Sequence, residues 1–295
     1  EKIVKGEPIF AAGVESDPVN VLAAYFQKIL SFTRREYPEG MIRRLVVTTK
    51  YRDFRFISQI YQALENAVGN RITLQYPRSG DHLSAVMISD LDGDGQDEAA
   101  VFYRKESSLS TENALRLNLL DQADGTWMSV CDLPAEGAEV DRGFTADIGG
   151  RQRLIIGYSQ VDQSDKALVV YNYEGGTLAK SFTVSYSSFD VADLDGDDQA
   201  ELLILKAAEG EHAAEAAVYV PDAQDHYTRY SLTLQGKTTE YSQVLCGNTQ
   251  GKQTAIYLDG IVGATTMQTE VLQFDGKKLS YLVPTGSDAV STIRP

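Results

Sequence analysis

Two nine-residue strings in this chain have the residue types and the spacing to hold a metal ion. The first is Asp90-Leu91-Asp92-Gly93-Asp94-Gly95-Gln96-Asp97-Glu98. With Asp90 as position 1, carboxylates fall at positions 1, 3 and 5, and Gly95 supplies a tight turn at 6. The backbone carbonyl of Gln96 falls at 7 and the acid Glu98 at 9. Hard oxygen ligands at this spacing suit calcium, which takes roughly 6–8 of them. The second string is Asp193-Leu194-Asp195-Gly196-Asp197-Asp198-Gln199-Ala200-Glu201. It places Asp193, Asp195, Asp197, the carbonyl of Gln199 and Glu201 in the same roles, with Asp198 where Gly95 stood. Aspartate tolerates a left-handed backbone better than most residues, so that exchange keeps the turn available. Each string holds five acidic side chains. Like charges about 4 Å apart repel by about 1 kcal/mol even in bulk water, and a divalent cation reverses the sign. Neither loop reads as an EF-hand, since its position 12 would be Val101 or Ile204 and strands follow.

Other chemistry is sparse. No nucleophile elbow, phosphate-binding glycine loop or paired-histidine metal motif occurs. His82, His212 and His226 are isolated in sequence, and His82 is read as a loop residue. Acid pairs that would suggest glycoside hydrolysis are accounted for as metal ligands. Cys131 and Cys246 lie in apolar, strand-like stretches and read as small buried thiols. A bridge between them stays open in an oxidising compartment. The sixteen tyrosines offer surfaces for sugar stacking, but Tyr103, Tyr158, Tyr171 and Tyr219 fall at strand positions and read as packing.

The acidic strings are held by a recurring order of short strands. A strand leads into a Gly/Asp loop, a second apolar strand follows, and a tight turn joins a third strand to a fourth. The first unit runs from Ala85 to Cys131, the second from Phe144 to Val184, the third from Phe189 to Leu234 and the fourth from Val244 to Leu282. The hairpin glycines Gly125 and Gly176 lie 51 positions apart, and Gly276 follows 100 further on. A four-stranded unit repeating at about 50 residues marks propeller blades, which must stack to bury both faces. The sequence thus predicts a mainly β fold, a propeller-like array of about four four-stranded blades, with a β-sandwich as the competitor. Closure and the total number of blades stay open.

Residues 1–80 read as an α-rich region and residues 81–295 as the blades. Asp17-Pro18 opens one amphipathic helix that ends at Tyr37-Pro38, and Leu45–Thr49 reads as a strand. A second helix carries Ile57, Ile60, Tyr61, Leu64 and Val68 on one face. Charge changes at the same boundary: residues 1–80 balance to +4, and the remainder to −19, for a total of −15. So acidic a body excludes nucleic acid as a partner, since phosphates call for basic surfaces. No apolar run approaches the ~20 residues needed to cross a bilayer. The chain begins at Glu1, which fits a processed protein.

The strings Ile88–Tyr103 and Val191–Leu205 resemble FG-GAP and VCBS-type repeats, the calcium-loop blades also found in integrin α-subunit propellers. The arrangement further resembles exported proteins and lipoproteins of gut-type Firmicutes. Two of the four units carry the full motif; Asp147-Ile148-Gly149-Gly150-Arg151 is shortened, and Gly247-Asn248-Thr249-Gln250-Gly251 lacks a carboxylate, so those blades are expected to hold no metal. The resemblance implies secretion or anchoring at the cell envelope and structural calcium. With it comes the expectation of a calcium-stabilised binding module for a protein or glycan partner, leaning away from an enzyme. An extracellular carbohydrate-active enzyme is the alternative.

Overall fold

A computed structural model of the chain describes residues 9–11, 14–16, 54–69, 72–80, 82–105, 114–160, 166–249, 254–262, 266–282 and 290–293. The expected first helix and the strand at Leu45–Thr49 lie outside them. Strands β1 (Ile9–Ala11) and β2 (Val14–Ser16) pair as a small ribbon, and helix α1 spans Phe54–Val68.

The rest is sheet. Sheet I consists of β3 (Ile72–Leu74), β4 (Val86–Ser89), β5 (Glu98–Lys105), β6 (Arg116–Ala123) and β7 (Thr126–Pro134), with β3 and β4 both pairing along β5. Sheet II is β8 (Glu139–Asp147), β9 (Gln152–Ser159), β10 (Lys166–Glu174) and β11 (Thr177–Ser185) in sequential order. Sheet III follows as β12 (Ser188–Ala192), β13 (Glu201–Lys206), β14 (Glu215–Pro221) and β15 (Tyr227–Thr233). Sheet IV comprises β16 (Thr238–Thr249), β17 (Thr254–Val262), β18 (Thr266–Phe274) and β19 (Leu279–Tyr281), and β20 (Val290–Ile293) joins it along β16. The fold is mainly β, with four antiparallel sheets of four or five strands among the described residues, matching the four units read from the sequence.

Why these strands are so apolar follows from the stacking. A strand alternates its side chains between two faces, and the inner strands have a neighbour on each. On β5, Ala100 and Phe102 pack toward sheet II, while Ala99, Val101 and Tyr103 pack on the other side with Ile60, Tyr61 and Leu64 of α1. Strand β9 sends Leu154, Ile156 and Tyr158 toward sheet I and Ile155 toward sheet III. Strand β13 sends Leu202 and Ile204 toward sheet II and Leu203 and Leu205 toward sheet IV. Central strands buried on both faces read as continuous apolar runs rather than as alternation. The hairpins turn through left-handed residues, Asp124-Gly125 and Gly175-Gly176 among them, as two-residue turns require.

This packing corrects one expectation. The FG-GAP and VCBS resemblance implies a calcium propeller, with its closure left open. Among the described residues the buried clusters join sheets I and II, II and III, and III and IV, and none joins IV to I. The face of sheet I away from sheet II packs against the apolar face of α1. Both cysteines are free thiols, one in sheet I and one in sheet IV. No described helix is long and apolar enough to cross a membrane.

Candidate metal sites and their neighbours

The two acidic strings form the β4–β5 and β12–β13 connections. Each folds on its own carboxylates. Asp90 accepts from the backbone N–H groups of Gly93 (2.7 Å) and Gly95 (3.0 Å), and Asp94 accepts from that of Gln96 (2.7 Å). In the second loop Asp193 accepts from Gly196 (2.7 Å) and Asp198 (3.3 Å), and Asp197 from Gln199 (2.8 Å). Asp198 sits at φ 68° and Gly95 at φ 86°, so the aspartate does adopt the left-handed turn. The outcome is a pair of three-carboxylate clusters, Asp90/Asp92/Asp94 and Asp193/Asp195/Asp197, with one oxygen from each residue within 4.8 Å of the others.

Glu98 and Glu201 play a more buried part than their place in the motif suggests. Both are inaccessible, and each uses Oε2 to accept the backbone N–H of the loop's second residue: Leu91 at 2.6 Å and Leu194 at 2.7 Å. The other oxygen of Glu98, Oε1, is buried without a hydrogen-bond partner. The side-chain amides of Gln96 and Gln199 donate to Asp94 and Asp197. Burial, reinforced by the charges of Asp92, Asp121 and Asp90, pushes Glu98 up to about 7. Burial and the second aspartate trio push Glu201 up to about 8. Asp92 and Asp195 are raised as well, first by burial and then by their acidic neighbours. An acceptor-only set with an orphaned buried oxygen is chemistry that a hard divalent cation completes. The residues fit such an ion.

A pH dependence follows. For the metal-free protein, the folded state keeps protons on Glu98 and Glu201 above the ordinary value of 4.5, whereas the unfolded chain has released them. Stability should therefore fall as pH rises from about 5 to 8. Calcium needs the ionised carboxylates, so its affinity should rise across the same window. Melting metal-free protein at the two ends of that range checks the sign; equal or higher stability at the alkaline end contradicts it.

Sheet II carries a different solution at the same place. Its β8–β9 register sets Ala146 opposite Arg153, just where Ser89 stands opposite Glu98 and Ala192 opposite Glu201. Arg153 is 1% exposed. Its Nε donates to the carbonyl of Ile148 (2.8 Å), the counterpart of Leu91 and Leu194, and its terminal nitrogens donate to Asn172 and to Asp225 Oδ1 (2.5 Å). Asn172 in turn donates to Asp225 Oδ2 (2.6 Å). Burial opposes the charge on Asp225, yet the hydrogen bond and charge of Arg153 hold its carboxyl below the usual range. The sequence reading passed over Arg153. The available signal was its position, directly before the apolar run of β9, as Glu98 and Glu201 directly precede those of β5 and β13.

Each of these three connections meets the hairpin of the following sheet. Beside Asp92 and Gly93 lie Tyr173 and Glu174 of the β10–β11 hairpin, around a 310 Å³ cavity. Tyr173 donates to Asp121 (2.6 Å), whose charge reaches Glu98 and Asp92. Arg153 reaches Asp225 of the β14–β15 hairpin. A Cβ on Gly276, in the β18–β19 hairpin, would stand 2.8 Å from Asp195 Oδ2.

No family model and no curated protein matches the sequence. Solved structures align with the fold only distantly. The exotype rhamnogalacturonan lyase YesX aligns at a TM-score of 0.35 and 16% identity, over 72% of this chain and 48% of its own. Rhamnogalacturonan lyase YesW gives 0.35 and 17%, over 74% and 50%. The Bacillus licheniformis rhamnogalacturonan lyase PL11 gives 0.35 and 14%, over 73% and 49%. The chain spans about half the length of these lyases. The FG-GAP and VCBS assignment is thereby corrected, since no family model supports it and lyases stand where calcium propellers were expected. The leaning away from an enzyme is withdrawn with it. A likeness this distant goes no further.

Proposed function

We propose that the protein is a calcium-stabilised β module of the cell exterior, whose ions hold strand connections while a ligand, a protein or glycan of the cell envelope, binds elsewhere. The observation that carries the reading is the pairing of each three-carboxylate cluster with a buried glutamate on a connection between two strands. Such a loop supplies most of a calcium shell from its own residues, which leaves little room for substrate. Extracellular modules bind calcium at roughly 10⁻⁴–10⁻³ M, which matches loops this exposed to solvent.

Asp92→Asn and Asp195→Asn test the division of labour. Each should lower the melting temperature in calcium by several degrees, and binding to envelope extracts should fall only in step with the folded fraction. Binding that collapses while the melt is unchanged would make the loops the recognition site and overturn the reading.

A second reading, an extracellular carbohydrate-active enzyme, is favoured by one cluster. Lys166 Nζ (3.1 Å) and the Tyr186 hydroxyl (2.6 Å) both donate to buried Asp141 Oδ2, and both Lys166 and Tyr186 line the large cleft between sheets II and III. Burial and the Asp141 bond hold the Tyr186 phenol well above its usual range, so it stays protonated.

A further inference from the structure

We infer that the two acidic loops fill with calcium in a fixed order, the β4–β5 loop before the β12–β13 loop, and that Asp121 at the first and Lys277 and Lys278 at the second set that order. This rests on the reading of both loops as calcium sites. The loops themselves do not separate the two. Each holds five acidic side chains, and each pairs a three-carboxylate cluster with a buried glutamate. What distinguishes them is the charge on the elements around them.

Around the first loop the added charge is negative. Asp121, partly buried near the end of β6, acts together with the loop's own aspartates on both Glu98 and Asp92. Tyr173 of the facing hairpin holds it there, its hydroxyl donating to Asp121 Oδ2 at 2.6 Å. The other charges beside Asp92 are those of Arg151 and Glu174, which lie 3.8 Å apart and cancel. This loop also carries the fully buried Glu98, whose Oε1 has no hydrogen-bond partner.

Around the second loop the added charge is positive. The charges acting on Asp195 and Glu201 are those of the loop's own aspartates. The facing hairpin, Asp275-Gly276-Lys277-Lys278, comes so close that a Cβ on Gly276 would stand 2.8 Å from Asp195 Oδ2. Gly276 turns at φ 80°, which glycine adopts without a steric penalty. Asp275 accepts the backbone N–H groups of Lys277 (3.0 Å) and Lys278 (2.7 Å), fixing both lysines in this turn. Two exposed ammonium groups against one carboxylate leave the hairpin net positive beside the second cluster. A neighbouring unit charge alters the affinity for a divalent ion by about three- to ten-fold. Asp121 tightens the first site and the lysines loosen the second. The seam between sheets III and IV is then the one that answers to changes in calcium, while the seam between I and II stays filled.

The test is calorimetric titration of calcium into the metal-stripped full chain with one loop disabled. Asp195→Asn reports the first site alone and Asp92→Asn the second. Asp197→Asn and Asp94→Asn replace them should either lose the parent's circular dichroism. In about 20 mM salt the first site should bind about ten-fold more tightly or better. Asp121→Asn, which keeps an oxygen for Tyr173, should weaken the first site about five-fold and leave the second unchanged. Lys277→Gln combined with Lys278→Gln should tighten the second about five-fold and leave the first unchanged. That gain should vanish in about 0.5 M salt, where the screening length falls to about 4 Å. Binding by the first loop alone fits the order. Equal affinities, a tighter second site, binding by the second loop alone, or indifference to Asp121→Asn or to the lysine pair would each overturn the inference and leave the calcium reading standing. Absence of calcium binding at both loops, by calorimetry and by thermal melt, sinks that reading and the inference with it.

Discussion

Removing calcium is expected to lower the melting temperature by more than any single surface substitution. A ligand held at ~100 times its dissociation constant contributes ~2.7 kcal/mol per site, and two such loops are present. The chelated protein also keeps what the ion offset. Three carboxylate oxygens lie within 4.8 Å of one another in each loop, and the buried Oε1 of Glu98 has no partner. The measurement is a thermal melt of metal-stripped protein, with calcium and then magnesium added back. Calcium should restore stability at lower concentration, because magnesium demands an octahedral shell and gives up its waters reluctantly. A melt indifferent to chelation would remove the metal sites from the account.

The second large effect is expected at Arg153. Replacing it with methionine leaves Asp225, Asn172 and the Ile148 carbonyl without their shared donor. Breaking a buried ion pair from one side costs about 3–5 kcal/mol. Asp225 is 22% exposed and can rehydrate, which places the loss toward the lower bound. Lysine should not rescue it. One ammonium cannot span three acceptors in the plane that a guanidinium covers. Urea unfolding of Arg153→Met and Arg153→Lys reads both losses, and a change within about 0.5 kcal/mol of the parent would show the network to be ornamental.

Local signals made much of this molecule legible. The apolar runs of β5, β9 and β13, the glycine and aspartate hairpins and the i, i+3, i+4 face of α1 are each written in a few neighbouring residues. So were the aspartate trios, because a metal loop draws its ligands from one short segment. Glu98 and Glu201 were legible as acids at position 9, but not as buried groups bound to the Leu91 and Leu194 backbones, because burial depends on the next sheet. Arg153 escaped because its partners, Asn172 and Asp225, lie 19 and 72 residues away. The cleft escaped for the same reason, being assembled from residues between 136 and 229. The FG-GAP resemblance matched the loops, and loops of this kind are carried by more than one arrangement of sheets.

The three successive connections, each meeting the hairpin of the next sheet, make the four sheets a row of leaves joined at three seams. The middle seam is riveted by a guanidinium that the ribosome installs and nothing can wash out. The outer two carry the aspartate trios instead, which on the proposed reading take up a cation from the surroundings. Sheets II and III are therefore kept in register by the chain itself, while on the proposed reading the leaves on either side would stiffen or loosen with the calcium of the medium.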